Sequence, residues 1–175
     1  MNMGRQLCMV LLLLFCAGCG YTTGSLLPSN YHTLYVAPFN NKVSYVSETM
    51  RGTYIPLLET KVHGAVVNRF QFDGHLKIKD SDAADLVLKG DLTGFERDEL
   101  RLTDAQNVQE YRIRIIMSLT MVDMASGETW WSEPSFAGEA TYFTTGPQAR
   151  SESAALDDAL LDLSRRVVER TIENW

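Results

Sequence analysis

The sequence predicts an α+β fold: two helices packed on one face of a four-stranded mixed sheet, in the order β-α-β-β-β-α with a possible extra short edge strand. Three observations carry this. Stretches between residues 84 and 143 alternate apolar and polar side chains with the period of two expected of half-buried strands. Two other stretches repeat apolar residues at three- and four-residue steps, the period of an amphipathic helix. Strands that are apolar on one face need only one covering layer, and two such helices can supply it.

The first strand covers residues 33–39 and is ended by Pro38 and the Asn40-Asn41 turn signal. The first helix spans about 54–70, with Ile55, Leu58, Val62, Ala65, Val66 and Arg69 or Phe70 on one face. Pro56 fits only in its first turn, and Asp73-Gly74 stops it. Residues 75–79 form the short edge strand. The strand over 84–97 puts Leu86, Leu88 and Leu92 on one face and Lys89, Asp91 and Thr93 on the other. The clearest alternation lies over 108–123. There Tyr111, Ile113, Ile115, Met117, Leu119 and Met121 make one apolar face, with Arg112, Arg114, Ser118 and Thr120 opposite. Ala125-Ser126-Gly127-Glu128 turns the chain into a strand over 129–143, bent or interrupted at Pro134 and Gly138. The last helix covers about 152–174, with Leu156, Leu160, Leu163, Val167 and Thr171 on one stripe, widened by Val168, Ile172 and Trp175. Ser151 or Ser153 caps it. The sheet face that carries Lys89, Arg112 and Arg114 beside Ser118 and Thr120 is left for solvent or a partner.

Compartment follows from the N-terminus. Arg5 and an apolar run over residues 7–15 lead to Ala17-Gly18-Cys19-Gly20. The run is too short to span a bilayer and has the layout of an export signal. Small residues followed by Cys19 look like a bacterial lipobox, where the thiol is acylated and becomes the new N-terminus, although Cys16 stands where Leu is commonest. A plain secretory signal cut after Ala17 is the alternative. On the lipobox reading residues 1–18 are a cleaved signal peptide, 19–32 a lipidated start and short tether, and 33–175 one domain. A diacylglycerol and a further acyl chain on Cys19 would hold the protein at a membrane without spanning it. Gly20, rather than Asp, after the acylated Cys resembles the default routing to the outer membrane.

Cleavage removes Cys8 and Cys16 and acylation uses Cys19, so no disulfide forms within the mature chain. The 157 residues from Cys19 suffice for one domain with a sizeable core. They carry 15 basic and 22 acidic side chains, a net charge of −7, which disfavours nucleic acid and requires a local basic patch for any anion. His32, His63 and His75 lack metal-ligand spacing and read as solvated or packed. There is no Gly-x-Ser-x-Gly elbow, phosphate loop or free Cys. Asp80, Asp82, Asp85, Asp157 and Asp158 fall in turns or on a helix face, where solvation accounts for them. The expectation is a non-enzyme without metal or cofactor. Trp130-Trp131 sends one indole away from the core face, either over an edge or as an aromatic anchor for a partner.

Several segments together resemble one family. They are Cys19-Gly20-Tyr21, the first strand running into Phe39-Asn40-Asn41, Ala84-Asp85-Leu86-Val87-Leu88-Lys89-Gly90, and Gln109-Glu110-Tyr111-Arg112-Ile113-Arg114-Ile115-Ile116-Met117 with its return hairpin. The last helix, ending Ser164-Arg165-Arg166-Val167-Val168-Glu169 before Trp175, adds to them. In order and spacing they are similar to the lipopolysaccharide-assembly lipoproteins of the LptE family. The resemblance implies a non-enzymatic role: plugging the outer-membrane barrel LptD, assisting its assembly, and binding lipopolysaccharide on its way to the outer leaflet. It implies lipopolysaccharide contacts by Arg101, in the loop before the Tyr111 strand, and by Arg150, just before the last helix. A guanidinium suits phosphate through paired hydrogen bonds. The competing reading is a periplasmic lipoprotein that activates or tethers a cell-envelope enzyme such as a peptidoglycan synthase. Such proteins usually carry a longer linker than the dozen residues here.

Overall fold

The computed structural model describes residues 27–43 and 55–173. The expected signal, Cys19, the start of the tether, the helix start at residue 54 and the closing Trp175 lie outside the described residues. The elements are β1 (Thr33–Val36), β2 (Asn40–Asn41), α1 (Leu58–Asp73), β3 (Lys77–Ile78), β4 (Leu86–Leu102), β5 (Val108–Asp123), β6 (Thr129–Phe143) and α2 (Glu152–Glu173), with a short 3-10 turn at Ser81–Ala83. The fold is α+β, as expected, with six strands where four and an edge were expected. The sheet order is β3-β1-β4-β5-β6, and β2 lies in line beside β4. β1 pairs in parallel with β3 and β4, while β4, β5 and β6 form an antiparallel meander.

The extra strand arises at Asn40-Asn41, which was expected only to turn. Asn40 Nδ2 donates to Asp91 Oδ1 at 2.9 Å and the Lys42 N–H donates to the Leu92 carbonyl at 2.8 Å, so the chain resumes pairing after Pro38. The turn chemistry is present one step later, where the Val43 N–H donates to Asn41 Oδ1 at 3.0 Å. α1 starts later than expected because Pro56 precedes the helix, and Leu57, at φ 56°, makes the left-handed bend into it. Gly74 closes α1 in the left-handed conformation at φ 81°, as the Asp73-Gly74 stop requires. α1 buries Leu58, Val62, Val66 and Phe70, and α2 buries its Leu156, Leu160, Leu163, Val167, Val168 and Ile172 stripe. Ser151 is the cap of α2, its Oγ accepting the Ala154 N–H at 3.2 Å.

Both helices cover the face formed by Leu34, Leu88, Leu92, Ile113, Ile115, Met117, Leu119 and Met121. A register shift between Leu92 and Gly94 inverts the alternation of β4, so Phe95 and Arg97 share the helix side with Leu92. β4 then runs five residues past its expected end at Arg97, and Arg101 lies within the strand rather than in a loop. β6 is continuous, with its irregularity near Pro134 opposite Met117 and Leu119. Gly138 is no interruption: it is where α2 lies directly on the strand. A Cβ there would stand 2.6 Å from the Leu163 backbone.

The long edge of β6 is shielded by α2. Asp162 Oδ2 accepts the Glu139 N–H at 3.1 Å, Arg166 donates to the Ala137 carbonyl, and Arg170 Nε pairs with Glu133 at 3.3 Å. At 17 residues and roughly 3.3 Å per residue, β4 extends on the order of 55 Å. The N-terminal lead enters at one end of this axis, where Tyr31 OH donates to Asp123 Oδ2 at 3.2 Å. The β4–β5 hairpin stands at the other end.

Candidate functional site

The hairpin end is built from three neighbouring strands. Arg101 on β4 is opposite Glu110 on β5, and Glu110 is opposite Phe143 on β6. After Phe143 the chain turns through Gly146, at φ 87°, and folds back so that the Arg150 N–H donates to the Phe143 carbonyl at 2.9 Å. Thr144 fixes the return, its Oγ1 donating to the Val108 carbonyl at 2.8 Å. Arg101 and Arg150, far apart in sequence, therefore flank one residue, Phe143, at one end of the sheet. The Arg101 guanidinium lies 5.6 Å from the Phe143 ring centre. Leu100 and Leu102 expose apolar surface beside it, at 45 % and 52 % exposure.

Each of the two arginines has one acidic partner: Arg101 Nε stands 3.7 Å from Glu110, and Arg150 Nη1 stands 2.6 Å from Asp158. Both arginine side chains are exposed, at 59 % and 48 %. The Arg150–Asp158 pair is exposed on both sides and contributes about 0–1 kcal/mol, so a dianionic phosphate can displace Asp158 at small cost, whereas Glu110 is only 15 % exposed and holds Arg101 at the longer 3.7 Å. The result is one guanidinium, of Arg101, beside a phenyl ring and exposed leucines, and a second, of Arg150, turned to Asp158 of α2 from the same end of the sheet.

A half-exposed ion pair over the buried Tyr142 sets the position of this end, and sequence reasoning missed it. Arg97 Nη1 pairs with Glu152 Oε2 at 2.8 Å, the Tyr142 hydroxyl donates to the same oxygen at 3.2 Å, and Arg97 lies 4.9 Å over the Tyr111 ring. Burial, helped by the Glu152 carboxylate, pushes the Tyr142 hydroxyl pKa up to about 12. The cluster pins the first residue of α2 to the sheet, two positions after Arg150. Only the bulge at Gly94 turns Arg97 toward the helices, and a strict period of two places it on the other face.

The other residues singled out in the sequence resolve individually. Arg112 pairs with Asp98 at 3.0 Å, and Arg114 pairs with Glu96 and with Asp98 at 3.3 Å. The Lys89/Arg112/Arg114 face is thus charge-balanced by acids of β4, and only Lys89 stands outside that ladder. Trp131 is buried on the helix side under Arg170, while Trp130 is covered by Tyr31 with ring centres 5.3 Å apart. The indole that leaves the core is taken by this chain's own N-terminal lead, which corrects the partner-anchor reading. His63 Nε2 meets the Val36 carbonyl at 3.0 Å, and His75 Nδ1 meets Asp73 at 2.8 Å on the surface. Asp85, expected to be merely solvated, accepts the His32 N–H, the Thr33 N–H and the Thr33 hydroxyl, each at 2.8 Å. These donors, the His32 N–H first, hold its carboxyl below the usual carboxylate range. Among the described residues no group of three or more His, Cys, Asp or Glu could hold a metal ion.

Comparison with known proteins agrees with this architecture. The fold is similar to that of uncharacterized lipoprotein B from Nitrosomonas europaea, with a TM-score of 0.56 and 12% identity over 83% of this chain and 84% of that one. A Xanthomonas campestris protein gives a TM-score of 0.55 and 14% identity over 83% and 88%. A PelC dodecamer from Paraburkholderia phytofirmans gives 0.50 and 14% over 86% and 96%. At these identities the likeness is one of fold. No curated protein matches by sequence. The family model for lipopolysaccharide assembly, LptE, matches residues 31–171, a span that runs from the lead before β1 to the last turn of α2, and the chain belongs to the LptE family.

Proposed function

We propose that this protein is an outer-membrane lipoprotein, acylated at Cys19, that plugs and assists assembly of the LptD barrel and contacts lipopolysaccharide during its transport to the outer leaflet. The observation that carries the reading is the placing of Arg101, over the Phe143 ring, and of Arg150, bonded to Phe143 through its backbone, at the sheet end remote from the N-terminal lead. A lipid anchor on Cys19 would hold the near end at the membrane, and the hairpin would reach on the order of 50 Å beyond it. Within family membership, that polarity suits a protein tethered at one end and engaging a ligand at the other. The protein acts by binding, with no turnover step, and the lipid on Cys19 is its only non-protein group.

The test pairs two measurements on the full chain. Detergent extraction of a tagged form is expected to bring down an outer-membrane β-barrel protein at a fixed ratio. Arg101→Glu with Arg150→Glu is expected to weaken lipopolysaccharide binding by about tenfold or more, since two charge-assisted contacts of about 1–2 kcal/mol become repulsive. The melting temperature should stay close to the parent's, because both side chains are exposed. Recovery of the protein alone, together with normal surface lipopolysaccharide after depletion, would sink the plug reading. Unchanged binding in the double variant would remove the two arginines from the site.

A further inference from the structure

The outer side of the helix layer carries a second feature, distant from the hairpin end. A groove of about 520 Å³ runs between α1 and α2, with Ala65 and Leu160 among its walls and Phe72 and Leu161 on its rim. Phe72 is 82 % exposed and Leu161 59 % exposed, although both helices turn their apolar stripes toward the sheet. Two bulky side chains held in water beside an open concavity mark an interaction surface rather than a solvated helix face.

The charges of the groove point to its occupant. Arg69, on the α1 wall, lays its guanidinium over Phe72 at 5.4 Å from the ring centre, and its Nε is shielded from solvent with no hydrogen-bond partner. Every other arginine among the described residues pairs with a carboxylate. The Asp157 carboxylate, on the α2 wall, likewise has no ion pair or hydrogen bond among the described residues, whereas its neighbours Asp158 and Asp162 are both paired. The groove therefore presents a mainly apolar surface, broken by Asn68 and Ser164, with one unmatched cation and one unmatched anion on its two walls.

We propose that this groove docks an amphipathic helix of a partner protein, its apolar stripe seated between Phe72 and Leu161, with a carboxylate on one flank against Arg69 and a cation on the other against Asp157. A helix is about 10 Å across and fills the furrow between two others as the third member of a bundle. Its polar flanks carry charges of both signs beside the apolar stripe. An anionic lipid would satisfy Arg69 but meet the Asp157 carboxylate. A second copy of this chain has no amphipathic helix to spare, because both of its described helices already bury their stripes in its own core.

The test uses the full chain in its native cells with Leu161→p-benzoylphenylalanine, an exposed position, as the photoprobe. Cross-links are expected to concentrate on one helical segment of one partner protein, identified by peptide sequencing. The same probe at Thr141, on the opposite sheet face, should leave that segment unmarked. Arg69→Glu should lower the cross-link yield about five- to tenfold, and changing the facing carboxylate of the mapped segment to Lys should restore it. Asp157→Lys, with the reciprocal change, repeats the test from the other wall. Cross-links only to lipid, only to a second copy of this chain, or to nothing would overturn the proposal. So would yields that neither charge reversal alters.

Discussion

Asp85 shows how much of the N-terminal end depends on one carboxylate. Its Oδ2 accepts the His32 and Thr33 N–H groups and the Thr33 hydroxyl, tying the start of β1 to the start of β4. Asp85→Ala leaves those donors without an acceptor and is expected to cost about 1–2 kcal/mol in urea denaturation at neutral pH. The folded-state pKa lies below the ordinary aspartate value of 3.8, so this stabilisation is complete above that value and is lost as pH falls through the lower folded-state value. The gap between parent and variant should accordingly close in acid and persist at pH 7. Tyr142 behaves in the opposite sense. Its pKa rises from 10.0 to about 12, so its contribution is present below pH 10 and fades as pH climbs toward the folded-state value. Tyr142→Phe should lose less stability than the parent between those limits, in parallel urea titrations; equal losses would mean that ionisation of the buried Tyr142 hydroxyl does not couple to folding.

Among the elements, β6 and α2 make the tightest contact, and glycine permits it. An alanine at Gly138 would put its methyl 2.6 Å from the Leu163 Cα and N, against helix backbone that cannot rotate away. Gly138→Ala should therefore push α2 off the sheet, at a cost of about 2–4 kcal/mol read as a lowered melting temperature. Gly64, in α1 with open space around it, is the control: alanine there should stabilise by about 0.5–1 kcal/mol through helix propensity. These two positions also show what sequence can carry. The alternation of β5 and the helical stripe of Leu58, Val62, Val66 and Phe70 are local patterns, and both appear in the structure where the sequence places them. Gly138 reads locally as a strand weakness, because its reason lies on a helix 25 residues further along. The bulge after Leu92 is equally silent in sequence, and it decides which face Arg97 occupies and hence how α2 is anchored. For the candidate site, Arg101 and Arg150 were legible as residues through family resemblance. Their convergence on Phe143 was not, since it depends on the extension of β4 to Leu102 and the fold-back after Gly146.

For the whole molecule, the core and the hairpin tip are separable along the long axis. The helices cover the sheet as far as the Arg97–Glu152–Tyr142 cluster, and beyond it Leu100, Arg101 and Leu102 are exposed. Glu99 and Tyr111 face each other across β4 and β5, so residues 100–110 can be replaced by an Asn-Gly turn joining them without a change of register. The shortened protein loses the Thr144 contacts to Val108 and Gln109, a cost of about 1–2 kcal/mol, and keeps every helix-facing residue from Leu86 to Glu99. It should fold, with near-parent circular dichroism, and still copurify with a barrel if the barrel grips the body of the domain. Lipopolysaccharide capture should fall at least as far as in the Arg101→Glu/Arg150→Glu variant, because the exposed leucines leave together with Arg101. Full capture by the shortened protein would move the ligand site from the tip to the body. Loss of the barrel with the tip would instead make the hairpin a barrel contact, with the arginines serving partner recognition.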